Sequence, residues 1–306
     1  MKNILILFII FSTFGHAIIP FYENAICYGP FRDGQSPEGK SPTINQLTED
    51  IKIISKHWSI IRMYGSHGVT EDVIKIIIKK KLNLKIFLGA WLADETDSSI
   101  TTQNNEEIEK AIYLANKYPN IINAVIIGNE TQVFWTWNKV KFEILKNYII
   151  KVKNSVKQPV TTADDFNFWN KPEGLKLSSF VDFILVHIHP LWGGLSTDNA
   201  VDWVSKIYNE IEALHPDKKI IIGETGWATM VHNEGEQAML IKGRTGEKEQ
   251  AIFYKNIHFW SKKHEITTFF FEVFDEKWKG GEHPNEVEKH WGVYNSNRTP
   301  KLIFKQ

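Results

Sequence analysis

The sequence predicts an α/β protein that folds as a single (β/α)8 barrel, or TIM barrel. Short apolar segments of strand length alternate with amphipathic segments of helix length along the chain of 306 residues. Eight such strands fall within about 290 residues, which is the size and rhythm of this barrel. No linker rich in Pro, Gly or Ser interrupts residues 18–306, so we expect one domain over that range.

The predicted strands are short runs rich in β-branched and aromatic side chains. In chain order they are AICY (25–28), SIIRMY (59–64), LKIFLG (84–89), AVIIG (124–128), PVTTA (159–163), FILVHI (183–188), KIIIG (219–223) and TTFFFEVF (267–274). An open, doubly wound sheet is the alternative, but no glycine-rich phosphate-binding loop follows any of the early strands. The barrel is therefore favoured.

The segments between the strands have apolar residues at helical spacing. Examples are TINQLTEDIKIISKHW (43–58), NEEIEKAIYLANKY (105–118), FEILKNYIIKVKNSV (142–156) and AVDWVSKIYNEIEAL (200–214). Thr43 is expected to cap the first of these, because a threonine hydroxyl can accept a hydrogen bond from a free N–H group of the first turn. These helices would form the outer ring of the barrel.

The first residues have the pattern of a secretory signal peptide. Lys2 precedes an apolar run over residues 4–14, and Gly15-His16-Ala17 offers small residues for cleavage. A membrane helix needs about 20 apolar residues, more than this run provides. We therefore expect residues 1–17 to be removed, with an uncleaved anchor as the alternative, and the mature protein to be extracellular, on the cell surface or periplasmic, without a membrane span. Cys27 is the only cysteine, so no disulfide forms within the chain.

Composition excludes some partners. The chain has 36 basic and 36 acidic residues, a formal net charge of zero, which gives no electrostatic footprint for nucleic acid or an anionic membrane. His187 and His189 share one face of the sixth strand, as metal ligands often do. No other histidine falls at a predicted strand end, however, so we expect neither a metal nor another cofactor.

The carboxyl ends of the strands carry the chemistry of this fold, and the sequence gathers polar and aromatic residues there. In strand order they are Tyr28, Phe31, Arg32 and Asp33; Arg62 and Tyr64; Trp91; Asn129, Glu130, Trp135 and Trp137; Asp164, Asp165 and Trp169; His187, His189 and Trp192; Glu224 and Trp227; Glu272, Asp275, Glu276, Trp278 and Lys279. Aromatic residues at these positions either stack on sugar rings or pack in the core, and their gathering at strand ends favours stacking. The candidates for substrate binding are Tyr28, Trp91, Trp135, Trp169, Trp192, Trp227 and Trp278.

Two glutamates end predicted strands in the same way. Glu130 ends VIIGNE (125–130), and Glu224 follows the strand in IIIGETGW (220–227). In an eight-stranded barrel, the fourth and seventh strands place them across the mouth from each other. Cleavage of a glycosidic bond needs such a pair, in which one acid protonates the leaving oxygen and the other carboxylate attacks or activates water. The alternative, in which each glutamate only pairs with a nearby Arg or Lys, explains one such acid better than two.

Polar residues at neighbouring strand ends are candidates to support this pair. Asn129 can donate a hydrogen bond to a sugar hydroxyl near the reacting carbon, and such bonds strengthen in the transition state. Tyr64 and His189 are candidates to hydrogen-bond Glu224, and Arg62 is a candidate support on the second strand.

Several of these motifs resemble glycoside hydrolase family 17. IGNE (127–130) and GETGW (223–227) look like its two catalytic motifs. Four further segments resemble its first, second, sixth and eighth strands, the sixth in its bacterial and fungal version: ICYGPFRDGQSP (26–37), IIRMYG (60–65), VHIHPLW (186–192) and FFFEVFDEKWK (269–279). The resemblance runs from Ala25 to HWGVYN (290–295), nearly the whole chain after the signal peptide.

Members of this family are (β/α)8 enzymes of clan A that cleave or rearrange β-1,3-glucans with retention of configuration. The resemblance implies that Glu130 is the acid/base and Glu224 the nucleophile. It also implies that Glu276 and Lys279 are a supporting acid and base that orient the nucleophile. His189 stands where plant members carry a tyrosine, as in bacterial and fungal relatives, and this departure puts a plant-style endo-acting groove in doubt.

We therefore expect a secreted, monomeric glycosidase that hydrolyses β-1,3-glucosidic bonds in laminarin-type β-glucan, endo or exo, by double displacement. A β-1,3-glucan transglycosylase that elongates or branches glucan with the same two glutamates is the alternative, because no residue in the sequence separates hydrolysis from transfer. A glucan-binding protein on an inactive barrel is a third alternative, and the presence of both glutamates argues against it.

Overall fold

The computed structural model describes residues 23–305. Eight parallel strands close into a barrel in which each strand pairs with the next, and the first strand pairs with the eighth. The prediction of a single (β/α)8 barrel is confirmed. The predicted signal peptide, residues 1–17, lies outside the described residues. Within residues 23–305, no helix has the length and apolar character that crossing a membrane requires.

The eight strands occur at the predicted places. They are β1 (Asn24–Cys27), β2 (Ile60–Met63), β3 (Lys85–Ala90), β4 (Ile122–Asn129), β5 (Val160–Asp165), β6 (Ile184–His187), β7 (Ile220–Gly226) and β8 (Thr268–Phe271). β7 runs further than predicted, so Glu224 is still part of the sheet. β8 ends earlier than predicted, because the N–H of Glu272 bonds to the carbonyl of Trp291 (3.3 Å) on the segment that follows.

The helices surround the barrel. They are α1 (Ile44–Ile54), α2 (Thr70–Lys80), α3 (Ser98–Lys117), α4 (Phe142–Lys153), α5 (Phe166–Trp169), α6 (Pro172–Ser178), α7 (Thr197–Leu214), α8 (Gly235–Leu240) and α9 (Glu247–Lys263), and a 3-10 turn covers Val287–Lys289. The predicted cap of α1 is confirmed: the Thr43 hydroxyl accepts from the N–H of Gln46 (3.3 Å), and the Gln46 side chain accepts from the N–H of Thr43 (2.8 Å). α3 begins earlier than its predicted segment, because the Asp97 carboxylate caps a first turn there.

The barrel interior is packed rather than open. Phe87 lies between Phe183 (ring centroids 6.0 Å apart) and Phe269 (5.0 Å). Strands buried on both faces read as continuous apolar runs, which is why segments such as III (220–222) signal the sheet in the sequence. The apolar filling leaves the carboxyl ends of the strands as the place where polar side chains converge.

Candidate active site

Four strands bring polar side chains together at the carboxyl end of the barrel. Arg62 lies on β2, Asn129 on β4, His187 on β6 and Glu224 on β7, and Glu130 follows β4 directly. His187 and Glu224 are paired across β6 and β7 in the sheet. The hydrogen bonds described next join these residues into one cluster, which contains both glutamates that the sequence placed at strand ends.

Arg62 is the buried cation that connects the cluster, with a side chain only 1% exposed. Nη1 donates to Oε1 of Glu224 (2.9 Å) and to the carbonyl of Gly223 (2.9 Å). Nη2 donates to Oδ1 of Asn129. Burying a guanidinium is costly unless the charge is paired and hydrogen-bonded, and these contacts provide both. The side chain thereby links β2, β4 and β7.

Glu224 is a buried carboxylate surrounded by hydrogen-bond donors. The Tyr64 hydroxyl donates to Oε1 (2.9 Å), and Nε2 of His189 lies 3.3 Å from Oε2. Burial alone would raise the pKa of Glu224, but its neighbours His187, Arg62 and His189 outweigh burial and hold this pKa well below its usual range. Glu224 is therefore ionised at neutral pH. Arg62, Tyr64 and His189 all contact it, as expected of supporting residues.

His187 contacts both glutamates, although its place in the sequence suggested only a metal ligand. Nδ1 lies 2.7 Å from Oε1 of Glu130, and Nε2 lies 2.8 Å from Nη1 of Arg62 and 3.4 Å from Oε1 of Glu224. A guanidinium can only donate, so Nε2 accepts from Arg62 and Nδ1 carries the ring proton. We therefore assign Nδ1 of His187 as the donor to Glu130. The signal in the sequence was the HIH pattern, because two residues that are two apart in extended chain point to the same side.

Glu130 leaves β4 through an unusual backbone turn. Its φ is 47°, and that of Gly128 is 77°. A non-glycine residue adopts a positive φ only where the surrounding structure holds it, and here the N–H of Glu130 donates to the carbonyl of Ala163 (2.8 Å). The Glu130 side chain is 35% exposed, against 7% for Glu224. One glutamate is thus open to the mouth of the barrel, and the other is enclosed.

Glu276 and Lys279 belong to a second buried cluster. Nζ of Lys279 donates to both carboxylate oxygens of Glu272 (2.6 Å each) and lies 3.0 Å from Oε2 of Glu276. Oε1 of Glu276 accepts from the N–H of Phe31 (3.0 Å). Burial would lower the pKa of Lys279, but the two carboxylates overcome it and raise that pKa. Glu276 is buried and Lys279 is largely enclosed, but the ammonium of Lys279 binds Glu272 as well as Glu276, so a role in orienting the nucleophile stays a prediction.

Glu288 is a further acid at the mouth that the sequence analysis missed. It lies in the 3-10 turn Val287–Lys289, within an acidic stretch that has no strand or helix periodicity to mark it. Burial raises the pKa of Glu288; Lys279 and His189 oppose the rise, and Glu130 and Glu224 add to it. These electrostatic interactions couple Glu288 to both clusters.

For three residues the prediction of stacking on a sugar is wrong, because their rings are buried. Trp169 and Trp227 are 0% exposed and Tyr28 is 1% exposed. The indole N–H groups donate to backbone carbonyls, at 3.3 Å for Trp169 and 3.0 Å for Trp227. The Tyr28 hydroxyl donates to Asp50 (3.1 Å). These rings stabilise the walls of the barrel and are not available to a sugar.

The other four predicted stacking residues have exposed surface. Trp91, Trp135 and Trp278 are 39%, 50% and 41% exposed. Trp192 is half-buried and packs partly against the core. Their contact with a substrate stays a prediction.

The cluster pairs an enclosed carboxylate that is held ionised with a second carboxylate that is open to the mouth of the barrel. This combination suits a reaction in which one acid transfers a proton while a second, charged carboxylate stabilises or attacks an electron-poor carbon. Among residues 23–305, no group of three or more His, Cys, Asp or Glu side chains is arranged to hold a metal ion.

Comparison with known proteins identifies a family. Residues 25–292 match the family described as the BtgE/BtgC glycoside hydrolase domain. The chain is 29% identical to a putative glucan endo-1,3-beta-glucosidase btgC of Aspergillus niger, over 85% of this chain and 40% of that protein. It is 27% identical to a glucan 1,3-beta-glucosidase of Schizosaccharomyces pombe, over 86% of this chain and 82% of that protein. The chain thus spans less than half the length of the btgC relative.

Two solved structures with the same architecture superpose over most of this chain. An endo-laminarinase from Formosa superposes with a TM-score of 0.79 at 25% identity, covering 92% of this chain and 85% of that one. A glycoside hydrolase family 17 beta-1,3-glucanosyltransferase from Rhizomucor miehei superposes with a TM-score of 0.70 at 22% identity, covering 93% and 97%. The second likeness shows the fold alone.

The buried ion pair leads to a prediction about stability. Replacing Arg62→Leu leaves Glu224 buried with its nearest positive charge removed, so we expect the free energy of unfolding to fall by about 3–5 kcal/mol. In a Glu224→Gln background the same replacement should cost less, because no charge is left unpaired. Urea unfolding of the four proteins at pH 7 measures this coupling.

The contribution of Glu224 to the free energy of unfolding changes with pH in a defined direction. Because the pKa of Glu224 is lowered on folding, its stabilisation is present above the ordinary value of 4.5 and is lost as the pH falls below it. The coupling between Arg62 and Glu224 should therefore shrink in acid. Equal costs of Arg62→Leu in both backgrounds at pH 7 would show that the pair is not energetically coupled.

Proposed function

Since the chain belongs to the BtgE/BtgC glycoside hydrolase family, we propose that it is a retaining glycosidase that cleaves β-1,3-glucosidic bonds in laminarin-type β-glucan. The observation that carries the proposal is the pair Glu130 and Glu224, joined through His187 at the barrel mouth with opposite environments. The substrate is supported by the relatives named for 1,3-beta-glucosidase activity and by the likeness to an endo-laminarinase.

We also propose that the chain falls within glycoside hydrolase family 17. The motifs IGNE and GETGW support this placement, and so does the shared fold with a family 17 enzyme. Secretion and a monomeric state are part of the same proposal, and the signal-peptide pattern of residues 1–17 supports export.

In the first step Glu224 attacks the anomeric carbon while Glu130 gives its proton to the leaving glycosidic oxygen. The attacking oxygen must be unprotonated, and the donors around Glu224 keep it so. The new bond joins the sugar to Glu224, and the leaving chain departs with the proton from Glu130.

In the second step Glu130, now ionised, removes a proton from water. The hydroxyl oxygen attacks the anomeric carbon, the bond to Glu224 breaks, and the sugar leaves with its original configuration. The exposure of Glu130 suits this role, because both the leaving sugar and the incoming water must reach it. A sugar hydroxyl that takes the place of water gives transglycosylation, the alternative with the same two glutamates.

His187 and Arg62 orient the groups that act in these steps. The N–H at Nδ1 of His187 occupies Oε1 of Glu130, so the catalytic proton is carried on Oε2. The bond from Arg62 to Oδ1 of Asn129 turns the amide so that its N–H groups can donate to a sugar hydroxyl. Both are positioning roles, and each follows from the donor character of the guanidinium.

The experiment that tests the function is a time course of products from soluble β-1,3-glucan in water enriched with heavy oxygen, followed by mass spectrometry. We expect shorter oligosaccharides with one heavy oxygen at each newly formed reducing end, and none from Glu224→Gln or Glu130→Gln, because each variant lacks one of the two required carboxylates.

Other outcomes have clear meanings. Unlabelled products longer than the substrate would make the protein a transglycosylase. An intact glucan with the native protein would show that the substrate is wrong, and cleavage by both variants would show that the site is wrong.

The role of His187 can be tested with a pair of conservative variants. Asn can place an N–H near the position of Nδ1, whereas Gln places its amide near Nε2. We expect His187→Gln to lower kcat/KM for a laminari-oligosaccharide by about tenfold or more, because the proton is no longer held on Oε2, and His187→Asn to keep most of the activity. An aryl glycoside with a good leaving group needs little protonation and should be spared in both.

The two substrates and the Asn variant separate positioning from a merely structural role. A variant that only misplaces the acid loses activity on the poor leaving group and keeps it on the good one. Equal losses in both variants and on both substrates would reduce His187 to a packing residue.

A further inference from the structure

The loop that follows Glu130 reverses the usual partition of polar and apolar side chains. Over residues 131–140, Phe134, Trp135 and Trp137 are 80%, 50% and 86% exposed. Five polar or small apolar residues of the same loop are buried, namely Thr131, Gln132, Val133, Asn138 and Val140. Large aromatic rings held in water while polar groups fill the interior indicate a surface that is kept for a ligand. We call Phe134, Trp135 and Trp137 the aromatic platform.

The base of the loop is held by buried hydrogen bonds. The carboxylate of Asp164, 0% exposed, accepts from the N–H groups of Gln132 (2.7 Å) and Val133 (3.1 Å). On the other side, Nδ2 of Asn138 donates to the carbonyl of Leu92 (2.6 Å), on the loop after β3. The platform is thus fixed in place before any ligand arrives, which lowers the entropy cost of binding.

The tip of the loop presents its rings together. The N–H of Thr136 donates to the carbonyl of Val133 (3.2 Å), which closes a turn with Phe134 and Trp135 at its two central positions. The rings of these two residues meet edge to face with centroids 4.6 Å apart. Trp137 follows just beyond the turn, so the three rings lie on one short, closed segment.

The position of the loop points to the occupant. The segment begins at the residue after Glu130, the group that protonates the leaving oxygen in the proposed reaction. The part of a glucan chain that leaves, or an acceptor that replaces it, must lie on that side of the scissile bond. Lys139 is the only charged residue in 131–140, and its ammonium is bound to the carbonyl of Gln132. A neutral, apolar surface suits the faces of sugar rings better than an anionic partner.

We propose that the aromatic platform binds a β-1,3-glucan chain on the leaving-group side of the catalytic pair. This inference rests on the proposed function and adds to it an extended binding surface beyond the catalytic sugar. Long chains then bind better than short ones, because a disaccharide fills the catalytic position without reaching the platform. The same surface would hold the acceptor if transfer occurs.

The test uses the full chain carrying Glu224→Gln, so that binding is measured without turnover. Its affinities for laminari-oligosaccharides of increasing length and for soluble β-1,3-glucan are measured by calorimetry. These affinities are compared with the affinities of a triple variant, in which Phe134→Ala, Trp135→Ala and Trp137→Ala are added to the same Glu224→Gln protein. Phe259→Ala is the matched control, because Phe259 is 70% exposed on α9, away from the mouth. Trp137→Ala alone is a second, milder variant, and circular dichroism checks the fold of each protein.

We expect the triple variant to bind long glucan about tenfold more weakly than its Glu224→Gln parent, and to bind the disaccharide equally well. The Phe259→Ala control should bind both ligands as the parent does. Trp137→Ala should show part of the loss. Equal binding of long glucan by the triple variant and its parent would overturn the inference and leave the proposed function standing.

Two further results would also be decisive. If the Glu224→Gln protein binds no β-1,3-glucan and the native protein cleaves none, the proposed function fails together with the inference. Self-association of the parent that the triple variant abolishes, seen by sedimentation, would assign the platform to a second copy of the chain and would overturn the inference alone.

Discussion

The guanidinium of Arg62 is the interaction on which the rest of the site depends. It lies at the carboxyl end of the barrel and binds Glu224, Asn129 and His187 at once. Each contact has a chemical consequence: it keeps a carboxylate ionised, turns an amide, and decides which ring nitrogen carries a proton. A charge buried to this degree is stable only while its partners stay in place. The same contacts that orient the reacting groups therefore also connect β2 to β4, β6 and β7.

The two glutamates differ because the fold gives them different surroundings. Glu224 sits within β7 and is enclosed by donors, whereas Glu130 is turned out of β4 by a strained backbone and reaches the open mouth. A shared imidazole lies between them and donates to the exposed one. Two identical side chains can thus take different parts in one reaction, which is how enzymes commonly run acid and base chemistry at one pH.

The sequence predicts the barrel and the position of the two glutamates at strand ends, because strand periodicity and strand ends are local patterns. The contacts of Tyr64 and His189 with Glu224 were also predicted, since both residues follow strands on the mouth side, and Arg62 within β2 was named as a supporting residue. What the sequence could not predict depends on contacts between distant segments. The role of His187 follows from a guanidinium on β2, and the acid Glu288 lies in a loop without periodicity. Trp169 and Trp227 also follow strands, but their rings turn into the wall, a direction that strand position does not determine.

The central claim is that Glu224, held ionised by Arg62 and its neighbours, forms a bond to the sugar. Its most direct test is to trap that bond with a laminaribioside that carries a 2-fluoro group and an activated leaving group. The fluorine slows both steps, and the good leaving group lets the first proceed. Mass spectrometry should show one glycosyl unit added to the intact protein, and peptide mapping should place it on Glu224. A label on Glu130 or on another residue would contradict the account, as would turnover of the reagent with inverted configuration and no label.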